Sequence, residues 1–106
     1  MHRLVPEKLV TIISTDVLEE RLVAIARNRG ASGYTILRAR GAGSSGEQSG
    51  MLDADANIKF HVILPTDRLA GVLDDLERLM SKRYPLTVFV SDVAVLGSDK
   101  FDKPMG

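Results

Sequence analysis

Glycines, hydroxyls and cations gather around one stretch of this chain. Residues 41–45 read Gly-Ala-Gly-Ser-Ser, directly after a strand-like segment. Glycine lets a backbone approach a ligand closely, and successive N–H groups in such a turn form a concavity that takes an anion. Ser44 and Ser45 add hydroxyls. Arg38 and Arg40 stand just before the stretch, and Lys82 and Arg83 come later; either pair can supply positive charge. The chemistry implied is phosphate or small-anion binding. No helix follows Gly41-Ala42-Gly43, which excludes the dinucleotide-binding fingerprint, and the Lys-[Ser/Thr] pair of a P-loop is missing. A solvated hairpin loop is the plain alternative, with Lys82-Arg83 then a helix C-terminus favoured by the macrodipole.

Other chemistries find less support. His2 is terminal, and His61 lies on the polar parity of a strand, with no cysteine anywhere in the chain. A metal site needs several such ligands, so His61 reads as a polar residue on a sheet face or at a subunit contact. Ser44, Ser45 and Ser49 lack the Gly-x-Ser-x-Gly elbow of a serine hydrolase. Asp53 and Asp55 share a strand parity but have no cleft residues beside them for acid–base work.

The totals bound the class. At 106 residues with 44% hydrophobic and 26% charged residues, the chain reads as one globular domain with an aliphatic core. Fourteen basic and fourteen acidic residues leave no net charge, which weighs against a nucleic-acid binder. The absence of cysteine fits a reducing compartment. No apolar run reaches the ~20 residues of a membrane span, and the first residues lack the apolar stretch of a signal peptide. The expectation is a soluble, cytoplasmic protein.

The elements that would hold the glycine stretch are legible in the hydrophobic pattern. Lys8–Ser14 is β-branched and almost continuously apolar, as a strand covered on both faces would be. Asp16 has Glu19 three residues on, the capping-box spacing. Leu18, Leu22, Ile25 and Ala26 then recur at helical spacing, and Gly30 supplies the stop. Tyr34–Ala39 is a second strand. Residues 56–64 alternate, with Ile58, Phe60, Val62 and Leu64 on one side and Asn57, Lys59 and His61 on the other. Leu69, Val72, Leu73, Leu76, Leu79 and Met80 form the stripe of a second helix, which Lys82-Arg83-Tyr84-Pro85 breaks. Thr87–Leu96 is a last strand, and residues 97–106 form a polar tail, expected to be mobile unless something binds it. The order βαββαβ predicts an α+β, ferredoxin-like sandwich with two helices on one face of an antiparallel sheet. The first and last strands are apolar at both parities, so the other face also needs a cover, which a homo-oligomer would supply. Residues 41–55 form an insertion without apolar periodicity, and they hold four of the nine glycines. Insertions of that kind in compact domains are usually functional or disordered.

Gly33-Tyr34-Thr35, Gly41-Ala42-Gly43-Ser44 and Ala56-Asn57-Ile58-Lys59-Phe60, in this order and on this layout, resemble the PII signal-transduction superfamily. They are most similar to its PII-like branch, found with carboxysomes and sodium-dependent bicarbonate transporters. The resemblance covers about residues 8–97. It implies a homotrimer with a T-loop at 41–55 and adenine nucleotides in clefts between subunits. Carried over by motif, the cleft would hold Thr35, Gly41, Ala42, Gly43 and Ser44, with Leu64 contacting the purine and Lys82 and Arg83 on the phosphates; Arg38 and Ser45 complete the candidate set. Three departures refine this. Gly46, Glu47 and Gln48 stand near the place of the branch's loop arginines, which favours AMP or ADP over ATP. The loop carries no tyrosine for uridylylation. The tail lacks the redox cysteines of some relatives. The expected role is a non-enzymatic sensor without cofactors, responding to adenine nucleotide and bicarbonate and controlling a transporter or carboxysome component in inorganic carbon metabolism. The alternatives are a trimeric cation-tolerance-like protein or a slow nucleotide hydrolase.

Overall fold

Four β-branched, aliphatic segments of this chain are strands, and two amphipathic segments are helices, in a computed structural model that describes residues 2–41, 57–97 and 103–105. In chain order they are β1 (Leu4–Thr15), α1 (Glu19–Asn28), β2 (Thr35–Ala39), β3 (Asn57–Leu64), α2 (Thr66–Ser81) and β4 (Thr87–Leu96). The sheet is antiparallel throughout, in the order β2-β3-β1-β4. This is the predicted ferredoxin-like βαββαβ frame.

One face of the sheet carries the core. Val10 and Ile12 of β1 pair with Val62 and Phe60 of β3, and Ile36 of β2 lies opposite Phe60. Leu18, Leu22 and Ala26 recur every four residues beside α1, and Val72, Leu76 and Leu79 follow at spacings of four and three on α2. These stripes close over the sheet, leaving Phe60 and Leu76 each 1% exposed. Tyr34 stacks on Phe60 with ring centroids 5.2 Å apart. The helices are tied together at their polar ends. Arg29, just past α1, donates from Nε and Nη2 to both Asp75 carboxylate oxygens of α2 at 2.8 and 2.9 Å, and Arg78 also donates to Asp75. Arg68 Nη1 donates to the Gly30 carbonyl at 2.8 Å. Gly30, at φ 80°, supplies the left-handed residue that ends α1.

Two local expectations are corrected. β1 begins four residues before Lys8 and runs through Pro6. Between Leu4 and Glu7 it pairs only with β4, so Pro6 sits on an edge, where the missing N–H breaks no second ladder. The cap after β1 is Thr15, not Asp16. Thr15 Oγ1 accepts from the Val17 N–H at 3.2 Å, and a 3-10 turn over Asp16–Leu18 intervenes before α1.

Among the described residues, no helix covers the opposite sheet face. Leu9, Thr11 and Ile13 of β1, Lys59, His61 and Ile63 of β3, and Thr35 and Leu37 of β2 share it. Leu37 is 50% exposed there, and Phe89 of β4 is 45% exposed. Residues 103–105 of the tail lie against the domain. The Met105 N–H donates to the Ala31 carbonyl at 2.9 Å, and the Met105 side chain packs against the core. Residues 103–105 are therefore docked beside the turn that leads from α1 into β2.

Candidate functional site

A cleft of about 730 Å3 opens on the helix-free face where β2 begins. Its size suits a small organic ligand. Leu9 and Ile63, which are register partners on β1 and β3, form an apolar floor. The turn Ser32-Gly33-Tyr34 and the first residue of β2, Thr35, form one end. Docking of Met105 places Lys103 and Pro104 in the lining as well.

His61 belongs to the same cleft. In the register it lies between Thr11 on β1 and Thr35 on β2. Its Nε2 is buried and has no hydrogen-bond partner among the described residues. A buried polar atom left in that state usually marks the place of a water, ion or ligand. The arrangement is a largely apolar slot with an imidazole, hydroxyls and one ammonium around it, which can hold a planar heterocycle and orient it by hydrogen bonds. No group of three or more His, Cys, Asp or Glu among the described residues can hold a metal.

The structure places the sequence-predicted residues unevenly. Thr35 lines the cleft. Arg38 pairs with Ile58 and so takes the helix-facing parity of β2, the opposite face from Thr35. Leu64 is 0% exposed in the core, and its neighbour Ile63 lines the cleft. Gly41 is exposed just past β2, and a Cβ there would meet nothing within 4 Å. Ala42, Gly43, Ser44 and Ser45 lie outside the described residues. Lys82 and Arg83 are exposed in the turn before β4. That turn has the hydrogen bonds of a Schellman motif, Arg83 N to Met80 O at 2.9 Å and Tyr84 N to Leu79 O at 3.2 Å. Arg83, at φ 70°, fills the left-handed position that glycine usually takes. Because the sheet order is β2-β3-β1-β4, the Gly41 end of β2 and the turn before β4 are on opposite edges. Three strand spacings put them roughly 14 Å apart.

The model of the family described as Nitrogen regulatory protein P-II matches residues 7–100. The chain belongs to the P-II family. Among solved structures, a PII-like signaling protein from Thermus thermophilus is 35% identical to this P-II chain, with a TM-score of 0.69, covering 92% of this chain and 97% of the other. CPII, a nitrogen regulatory PII-like protein from Thiomonas intermedia, is 28% identical, with a TM-score of 0.80 over 93% of this chain and 96% of its own; that structure holds ADP, AMP and bicarbonate. A second CPII structure, with ADP and bicarbonate, is 29% identical and has the same TM-score of 0.80. The P-II match takes in β1 from residue 7 onward, the other three strands and both helices in full, and so includes the cleft apart from Lys103 and Pro104. No helix of this P-II chain, among the described residues, is long and apolar enough to cross a membrane.

Proposed function

We propose that this P-II chain is a non-enzymatic sensor that binds an adenine nucleotide, AMP or ADP in preference to ATP, with bicarbonate as a second ligand. The observation that carries the reading is the cleft at Thr35, an apolar slot with polar groups at one end of β2, on a sheet face that no helix covers. The CPII structures, with ADP, AMP and bicarbonate bound to a chain of the same fold, support the ligand class. The nucleotide would lie beside β2, with its phosphates held by the backbone N–H groups and hydroxyls of Gly41, Ala42, Gly43, Ser44 and Ser45.

Lys82 and Arg83 reach such a ligand only from another copy. They stand on the β4 edge while the ligand sits at the β2 edge, so a closed ring of chains brings one edge against the other. A homotrimer is the ring we propose, and it would also cover Leu37 and Phe89. Binding would reorder the T-loop, 41–55, and a partner in inorganic carbon metabolism, a bicarbonate transporter or a carboxysome component, would read the ordered form. The ligand shifts the loop only by the difference in its affinity for the two loop states.

Calorimetry with AMP, ADP, ATP and cyclic AMP, run beside light scattering, tests this. The expected result is a trimer that binds AMP or ADP, and loses them when Gly43→Val blocks close backbone approach. A monomer, or no heat with any of the four, would refute the reading.

A further inference from the structure

Arg83 has a backbone conformation that the turn around it must enforce. At φ 70° it lies in the left-handed region, where a residue with a Cβ is strained and stays only if its surroundings fix it. Two Schellman hydrogen bonds tie the turn back to α2. The next residue, Tyr84, packs its side chain against the core. A further tie comes from the other helix. The guanidinium carbon of Arg21, on α1, stands 4.8 Å from the centroid of the Tyr84 ring. A cation at that distance over an aromatic face is attracted by the ring quadrupole. Lys82 and Arg83, immediately before the ring, are exposed. Whatever fixes Tyr84 therefore fixes the backbone from which these two cations project.

We propose that Arg21 is a positioning residue for phosphate binding: by holding the Tyr84 ring it keeps the 82–85 turn in the shape that presents Lys82 and Arg83 to the ligand. Arg21 acts through Tyr84 and not on the ligand itself. The inference rests on the nucleotide reading above, in which those two cations serve the phosphates at a neighbouring copy, and adds to it the residue that sets their place. A cation on the turn counts only in the fraction of molecules whose turn is formed, so loosening the turn weakens binding by that fraction. A ligand that has no phosphate is indifferent to the change.

The experiment is calorimetry with ADP and with adenosine on the full chain and on Arg21→Met and Arg21→Lys. Arg21→Met keeps an unbranched stem and removes the charge. Its ADP affinity should fall about threefold, the contribution of a cation on a partly exposed ring, with adenosine unchanged. Arg21→Lys keeps a cation over the ring and should recover most of the loss. The deciding arm adds Arg21→Met to the double variant Lys82→Ala/Arg83→Ala. With both cations gone there is nothing left to position, so Arg21→Met should cause no further loss of ADP affinity. A full threefold loss in that background would put Arg21 on the ligand directly and overturn the inference. So would an unchanged ADP affinity in Arg21→Met, or an equal loss for ADP and adenosine, and each of these leaves the nucleotide reading intact. If Lys82→Ala/Arg83→Ala itself binds ADP as the unaltered chain does, the placement of the two cations falls and this inference with it. If the unaltered chain binds no ADP, the nucleotide reading falls as well.

Discussion

Arg83→Gly should make the protein more stable and a worse binder. Arg83 is exposed and sits at φ 70°, where a side chain with a Cβ is strained by roughly 1–2 kcal/mol. Glycine removes that strain. It also gives the unfolded chain more freedom, which takes back about 0.4–1 kcal/mol. The net gain is about 0.7 kcal/mol. Unfolding entropy near 2.1 cal/mol/K per residue gives roughly 0.22 kcal/mol/K for a chain of this length. The midpoint should therefore rise by about 3 °C. The measurement is differential scanning calorimetry without nucleotide and at one protein concentration, since ligand and assembly both move the midpoint. Under the proposed function the same change deletes a phosphate-facing cation, and ADP affinity should fall about tenfold, as expected for a hydrogen bond to a charged group. Arg83→Lys separates the two effects, because it keeps the charge and the strain; its midpoint should match the original. A midpoint that falls in Arg83→Gly refutes the backbone argument. An unchanged ADP affinity refutes the placement of Arg83 at the ligand.

Other perturbations test the frame and the cleft. Phe60→Ala removes a ring that is 1% exposed and stacked on Tyr34, and should cost about 4 kcal/mol in urea unfolding; a loss under about 1 kcal/mol would mean the core is packed otherwise. The Arg29 guanidinium, helped by Arg78, holds the Asp75 carboxyl below its ordinary value of 3.8, against a smaller opposing effect of burial. Asp75 therefore stabilises the fold fully above that ordinary value and loses its contribution as pH falls through the depressed one. Asp75→Asn should flatten this acid limb of a midpoint-versus-pH series, and an unaltered limb would show that the ion pair does not form. Gly71→Ala would place a Cβ 3.0 Å from the Arg29 side chain as it crosses to Asp75. The guanidinium end is free to swing aside, so the acid limb should shrink while better helix propensity adds up to about 1 kcal/mol at neutral pH. Deleting residues 103–106 removes the Met105–Ala31 bond and the lining given by Lys103 and Pro104; AMP affinity should drop several-fold in calorimetry, and an unchanged value would detach the tail from the site.

Period and parity carried most of the architecture. The alternation through Ile58, Phe60 and Val62 reappears as buried residues of β3, and the stripes of both helices meet the sheet as the spacing predicts. Parity also decides where the Leu64 side chain goes. It belongs to the Ile58–Phe60–Val62 set, and that set faces the core, so its side chain was never available to the cleft; Ile63 was. Arg38 repeats the lesson, being on the opposite parity from Thr35. The cleft itself was mostly illegible. Leu9, His61 and Pro104 come from three distant parts of the chain, and only strand register and the docking of Met105 bring them together. His61 carries no motif, and only the fold shows its Nε2 buried without a hydrogen-bond partner among the described residues. The left-handed backbone at Arg83 was hidden for a related reason, because the usual signal for that conformation is a glycine.

β2 is only five residues long and, among the described residues, hydrogen-bonds to one strand, β3. Its first residue forms part of the slot and its last leads into the glycine-rich segment. It thus works as a short rod, pinned along one side, whose two tips are about 13 Å apart by strand rise. Ile36, within the rod, packs against the core, so any tilt of β2 against β3 would have to carry that contact with it.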